Sequence, residues 1–314
     1  MMKARLKGMI LALTVSAVMV SSGAVSAQYT HWTPYWDEFQ NMKDIVPKGY
    51  VCYKVAAPVV VDGNLEEDAW RYIPWTEYFV DIEGDVKPRP WFRTQAKMAW
   101  DDAFFYVAAD IQERDVWGTL TEHDSIIYRD NDFEIFIDPN SDNHEYYEIE
   151  INALNTVWDL MLMTPYRDGG ERVDEWSAQG LKTAIFVNGT LNDPSDRDQG
   201  WSVEFAIPWS VLREYAHKPA PPAEGDQWRI NFSRVEYQCT VAGGEYARAE
   251  GHPGENWVWS PPGVINMHCP EKVGLRSVLI GATRHGALHT GTHGAGPNAF
   301  TRGVLRSARL PTDA

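Results

Sequence analysis

Asp132-Phe133-Glu134-Ile135-Phe136-Ile137-Asp138, and after six further residues Glu145-Tyr146-Tyr147-Glu148-Ile149-Glu150-Ile151-Asn152-Ala153, decide the fold. Phe133, Ile135 and Ile137 alternate with Asp132, Glu134, Phe136 and Asp138, and Tyr147, Ile149 and Ile151 alternate with Tyr146, Glu148, Glu150 and Asn152. A period of two marks a strand with unlike faces. Asp138-Pro139-Asn140 between them is turn sequence, so the pair predicts an antiparallel hairpin. One face of it is apolar. The other sets Glu134 near Glu148, Glu150 and Asn152. Antiparallel neighbours stand about 4.5–5.5 Å apart, and carboxylates that close repel. Such a face is well solvated, or it is neutralised by a ligand, a metal or an arginine.

The same period runs outward over the body from Tyr50 to Ile280. Trp201, Val203, Phe205 and Ile207 alternate with Ser202, Glu204 and Ala206. Further strands are predicted at Val59–Val61, Thr94–Trp100, Phe104–Ile111, Thr156–Met163, Leu181–Val187, Trp228–Tyr237 and Trp257–Trp259. Asp62-Gly63, Asp168-Gly169-Gly170, Asn188-Gly189 and Asp193-Pro194-Ser195 separate them. About ten short strands so spaced predict an all-β protein, an antiparallel β-sandwich of jelly-roll type. Two short helices fit as well, Leu65–Tyr72 with Asn64 as N-cap and Trp209–Tyr215 opened by Pro208.

The 314 residues are 44% hydrophobic and include 14 Trp, 14 Tyr and 11 Phe, which excludes a disordered chain. A net charge of −16 argues against nucleic acid and against anionic membrane surfaces. Residues 1–27 read as a secretory signal peptide. Lys3, Arg5 and Lys7 precede an apolar run from Met9 to Val20, and Val25-Ser26-Ala27 offers a cleavage site. No later apolar run is long enough to span a membrane. The expectation is a secreted or periplasmic protein. Cys52, Cys239 and Cys269 then permit at most one intrachain disulfide, and their spacing fits no zinc motif. Residues 28–48 carry Trp32, Tyr35, Trp36 and Phe39 and read as an arm packed on the domain. From Lys272 onward six basic residues face only Asp313, and from residue 282 the chain loses hydrophobic period. Residues 282–314 read as an unstructured tail, either a genuine basic segment or the product of a reading-frame change.

Several short motifs, in order and at matching spacing over roughly residues 50–275, resemble family 9 carbohydrate-binding modules and the exported family 9-like proteins of bacteria. They are Val60-Val61-Asp62-Gly63-Asn64-Leu65 with Ala69-Trp70, Met98-Ala99-Trp100-Asp101-Asp102 running into Phe105-Tyr106-Val107, the hairpin above, Gly200-Trp201-Ser202-Val203-Glu204 through Pro208-Trp209, and Trp228-Arg229-Ile230-Asn231-Phe232. The resemblance implies a non-catalytic β-sandwich at residues 49–281 that binds an oligosaccharide or polysaccharide. In the xylanase-borne modules two Trp rings clamp a terminal sugar and a Glu binds its hydroxyls. The Glu falls on Glu134 and the first clamp ring on Tyr128. The second clamp position falls at Met267 and His268, and an Arg of the xylanase type falls on Glu150, so half the clamp and part of the polar set are changed. Trp257 and Trp259 stand nearby, although core Trp is the better reading for at least one. After Cys269-Pro270-Glu271-Lys272 the aromatic-Gly continuation of the family is missing, which puts the closing strand in doubt.

The predicted sugar site is therefore Tyr128 for stacking and Glu134 for hydroxyls, with Asn152, Arg234, Trp158 and Trp176 as further candidates; Arg234 also suits neutralising the acidic face. The sequence names no cofactor with certainty, and a structural calcium is the one candidate. Asp138, Asn140 and Asp142 alternate as in a calcium loop, but Asn143 and Ile149 stand where an EF-hand needs Gly and Glu. A structural calcium in this turn remains an expectation, which the resemblance also implies. Glycoside hydrolysis is an alternative, since Glu134 with Glu148 or Glu150 offers paired carboxylates. A haem between Met and His, from Met161 or Met163 and Met267-His268, is a second one. Nucleophile-elbow, zincin and P-loop motifs are absent from the sequence.

Overall fold

A computed structural model of the chain describes residue 38, residues 40–268 and, by backbone alone, residues 276–281. The signal peptide reading, the four arm aromatics, Cys269 and the tail from residue 282 lie outside the described residues.

The strands are β1 (Tyr50–Lys54), β2 (Val80–Asp81), β3 (Thr94–Trp100), β4 (Phe104–Gln112), β5 (Asp132–Asp138), β6 (Tyr146–Asn152), β7 (Val157–Leu162), β8 (Arg172–Val173), β9 (Lys182–Asn188), β10 (Gly200–Pro208), β11 (Gln227–Glu236), β12 (Cys239–Ala242), β13 (Glu245–Arg248), β14 (Glu255–Val258) and β15 (Arg276–Gly281). Hydrogen bonds link them in the order β8-β7-β6-β5-β11-β15-β1-β3-β4-β10-β9, with β14 joining β11 to β2 and with β12-β13 a separate ribbon. The pairs are antiparallel except that β1 runs parallel to β15 and to β3. The path folds into an all-β sandwich. Phe133 of β5 meets Phe205 of β10 across the core at 6.1 Å and Phe232 of β11 at 5.6 Å. Phe133, Ile135, Ile137, Tyr147, Ile149 and Ile151 all point into this core, as the alternation requires.

The helices are shorter than predicted: α1 (Asp68–Arg71) and α2 (Trp209–Leu212). Asn64 does not cap α1. Its Oδ1 accepts from the Glu66 N–H in a local turn, and Glu67 is the N-cap residue. Val59–Val61 is not a strand. Its neighbours are held instead by a buried carboxylate on β10. Glu204 accepts the N–H groups of Asp62 (2.9 Å) and Gly63 (2.7 Å) and the indole N–H of Trp70 (2.5 Å). The closing strand put in doubt by the sequence is present: β15 fills the gap between β1 and β11. Cys52 is buried and Cys239 half-buried, and neither is bridged.

A second, smaller core lies on the outer face of β5, β6 and β7. Phe136, Tyr146, Trp158, Leu160 and Leu162 pack there with Ile127, Val264 and Met42, the last from the arm. Met42 joins this cluster, while the four aromatics on which the arm reading rested lie outside the described residues. The consequence is that the acidic face of the hairpin is covered by loops rather than open to water.

Candidate functional site

The cover is incomplete, and the gap is a cavity of about 520 Å³ over β5–β6–β7. Register builds its floor. Glu134 of β5 stands opposite Glu150 of β6, which stands opposite Trp158 of β7; in the next row Phe136 stands opposite Glu148. Glu134, Glu148 and Glu150 are 5%, 4% and 2% exposed. The solvated alternative for this face is thereby corrected. Oxygens of Asp132, Glu134 and Glu150 lie within 4.8 Å of one another. One Asp132 oxygen accepts the Val235 N–H at 2.7 Å, and its Oδ2, though buried, receives no backbone, amide or hydroxyl hydrogen bond among the described residues.

Burial raises the pKa of Glu134. It raises those of Asp132, Glu148 and Glu150 well above the carboxylate range, and the Glu134 charge adds to each. The lining has two basic side chains. His268 is pushed down to about 4 by burial and is neutral. Arg172 is at the rim, 2.8 Å from Asp174, with its guanidinium 5.6 Å over the Trp158 ring.

The walls are aromatic. Tyr128 sits on a short 3-10 turn, Ile127–Arg129, held by buried Ile127. The Tyr128 N–H donates to Glu150 Oε2 at 2.9 Å and its carbonyl accepts the Tyr237 hydroxyl at 3.0 Å. This fixes the turn and leaves the Tyr128 ring 42% exposed, 6.2 Å from the Trp158 ring. Tyr166 and Tyr237 complete the ring set, and Asn256 and Asn266 add amides. Met267 and His268, at the second clamp position, also line the cavity. Their loop is anchored by a reciprocal pair, Asn231 Nδ2 to the Ser260 carbonyl at 3.0 Å and Ser260 N–H to Asn231 Oδ1 at 3.1 Å. His268 shares a 2.9 Å hydrogen bond with the Tyr146 hydroxyl and stands edge-on to Tyr166 at 4.5 Å. Met161 is in the main core, away from His268.

Of the predicted site residues the structure brings Tyr128, Glu134 and Trp158 together here. It places the other three elsewhere. Asn152 is buried and donates to the Leu120 carbonyl and Asp130 Oδ2, while Asp130 receives the N–H groups of Thr119 and Leu120; Asn152 thus braces the segment leading to Tyr128. Trp176 packs on Tyr147 at 4.9 Å in the main core. Arg234 is fully buried between Glu113 and Glu236, both at 2.5 Å. The side chains of Asp138, Asn140 and Asp142 serve their own turn. Asp138 accepts from Ser141 and Asn143, and Asn140 and Asp142 bond each other. Trp257 and Trp259 are both buried in the core. The residues the sequence missed are Tyr166, Arg172, Tyr237, Asn256 and Asn266, which lie in loops or at strand ends. Glu148 and Glu150 were visible in it as a charged face.

The family model for "Carbohydrate family 9 binding domain-like" matches residues 61–233, more than half of the chain. The chain belongs to that family. The family 9-like domain is 30% identical over 190 residues to exoglucanase XynX of Acetivibrio thermocellus, covering 56% of this chain and 15% of that enzyme. It is 30% identical over 116 residues to endo-1,4-beta-xylanase A of Thermoanaerobacterium saccharolyticum, covering 37% of this chain and 8% of that enzyme. Among solved structures, a putative carbohydrate-binding protein from Bacteroides uniformis superposes with a TM-score of 0.51 at 17% identity, over 74% of this chain and all of that one. A family 9 module from Caldicellulosiruptor kristjanssonii, solved with cellotriose, gives a TM-score of 0.46 at 16% identity, over 79% of this chain and all of that one.

Proposed function

We propose that this family 9-like domain binds a carbohydrate in the cavity over β5–β7, without cleaving it. The carrying observation is the exposed Tyr128 ring at the mouth of a pocket whose floor is buried carboxylate. A pyranose offers a C–H face to such a ring and hydroxyls to carboxylate and amide groups. Tyr128 stacks, Trp158 and Tyr166 extend the wall, and Glu134 accepts hydroxyl hydrogen bonds. Membership of a carbohydrate-binding family and a relative solved with cellotriose support the reading. Hydrolysis needs carboxyl groups on opposite sides of a glycosidic bond. Here Glu134 and Glu150 are cross-strand neighbours on one floor, and the family model matched is that of a binding domain, which supports binding over cleavage. The leader-like residues 1–27 support export, which N-terminal sequencing of the natural protein tests at Ala27.

The decisive experiment is affinity electrophoresis and calorimetry against soluble oligosaccharides, cellotriose among them, comparing native protein with Tyr128→Ala and Glu134→Ala. Loss of a stacked ring lowers affinity about tenfold. Retention unchanged in both variants, with the fold intact, moves the site elsewhere. Release of reducing sugar from an oligosaccharide makes the protein an enzyme.

A further inference from the structure

We infer that the ligand of this cavity is a basic sugar, an oligosaccharide carrying a free protonated amine such as a glucosamine oligomer. The inference rests on the carbohydrate-binding reading and names the class of sugar. Three observations carry it.

The first is charge. Glu134, Glu148 and Glu150 converge on the floor from two strands, with Asp132 behind Glu134. Among the described lining residues the basic groups are Arg172, engaged by Asp174 at the rim, and His268, whose Nε2 is 3.9 Å from Glu148 and which burial keeps neutral. Arg234, the other cation near Asp132, is spent on Glu113 and Glu236. Arg172 acts on Glu148 and Arg234 on Asp132, but neither pairs with Glu134 or Glu150, so among the described residues the floor has more acids than cations.

The second is unused bonding capacity. Asp132 Oδ2 is fully buried beside Glu134 and, among the described residues, receives no backbone, amide or hydroxyl hydrogen bond; it meets only the neighbouring carboxyl group. Carboxylates are acceptors when ionised. A neutral sugar hydroxyl satisfies one acceptor; an ammonium has three donors and brings the missing charge, and charge-assisted bonds of this kind are roughly twice as strong as neutral ones.

The third is the wall. Tyr128, Trp158, Tyr166 and Tyr237 surround the opening. Aromatic faces favour both a pyranose C–H face and a nearby cation. An amino sugar uses the rings, the amides of Asn256 and Asn266, and the acidic floor together.

Burial favours the protonated form of these acids, so an ammonium that binds their ionised form shifts protons off them. Binding therefore releases protons, which calorimetry reads as a dependence of the observed heat on the ionisation enthalpy of the buffer.

The test uses the full protein at slightly acid pH and four probes: glucosamine trimer, its fully N-acetylated form, cellotriose, and calcium chloride alone. Acetylation removes the charge and keeps the ring. The expected result is that the free-amine trimer binds roughly tenfold or more tightly than cellotriose or the acetylated trimer, the factor worth one charge-assisted bond, with proton release. Glu148→Gln and Glu150→Gln each narrow that ratio. Equal affinity for the amine and neutral trimers overturns the inference and leaves carbohydrate binding standing. Binding of none of the sugars overturns the carbohydrate reading itself. Saturable calcium binding that blocks the amine trimer and is lost in Glu150→Gln assigns the floor to a metal and likewise overturns the amine.

Discussion

Replacing Glu150 with Gln is expected to stabilise the protein near neutral pH. Glu150 sits among carboxylates whose oxygens lie within 4.8 Å of one another. Two unit charges at that distance repel by about 3.5 kcal/mol at an effective dielectric constant of roughly 20. The chain escapes most of this by keeping protons on the cluster, because burial and mutual repulsion raise the pKa of Asp132, Glu148 and Glu150 well above the ordinary range. The unfolded chain has no such reason to hold them. Between the ordinary carboxylate pKa and the raised values the folded state binds more protons, so stability falls as pH rises through that window; below it, both states are protonated and the contribution vanishes. Gln removes one member of the cluster and keeps an oxygen to accept the Tyr128 N–H. The gain is on the order of 1–2 kcal/mol at mildly alkaline pH, or a few degrees in Tm for a domain of this size. It shrinks toward zero at acid pH. Thermal melts followed by near-ultraviolet circular dichroism across mildly acid to mildly alkaline buffers read both quantities. A native protein whose Tm does not fall with pH, together with a destabilised variant, refutes the reasoning, for it means the carboxylates are ionised at no cost.

Three further outcomes follow from buried groups with named partners. Glu204→Ala strands the N–H groups of Asp62 and Gly63 and the Trp70 indole, at about 1–3 kcal/mol for each group left unsatisfied; urea unfolding is expected to show a loss of several kcal/mol, and a change below about 1 refutes the anchor. Arg234→Met leaves Glu113 and Glu236 buried without their cation and is expected to cost about 3–5 kcal/mol by the same measurement. His268, its pKa pushed down to about 4 by burial, stays neutral where an exposed histidine is half charged. An imidazole NMR titration with an ordinary midpoint shows instead that its ring is open to solvent.

The hairpin's alternation was enough to assign its inner face, because a strand has two faces and the apolar one must be buried. Phe133, Ile135 and Ile137 are in the core for that reason. Alternation is silent about what covers the opposite face. Phe136, Leu160 and Leu162 were the only hint that the outer side of this sheet carries apolar weight, and they find partners in loops whose position no local period encodes: Ile127 from a 3-10 turn, Val264 from the approach to His268, Met42 from the arm. That cover turns a charged face into the floor of a cavity. It is also why Tyr128 and Trp158 meet across thirty residues of sequence, and why Tyr166, Arg172 and Tyr237 escaped notice. Arg234 failed as a site residue for the complementary reason. Its strand reads as alternating, but its neighbours Glu113 and Glu236 are buried with it, and three charges taken out of water together must satisfy one another before they serve anything else. On the floor, Glu134 and Glu150 differ in having no ion-pair partner among the described residues, and Glu148 has only neutral His268 at 3.9 Å. A group of acids kept in the interior next to open volume costs stability at every pH where they ionise, and a ligand of opposite charge, as we propose for this cavity, would return it. Of these two clusters, Glu113 and Glu236, paired with Arg234, hold the fold, and Glu134, Glu148 and Glu150 form the floor we propose for the ligand.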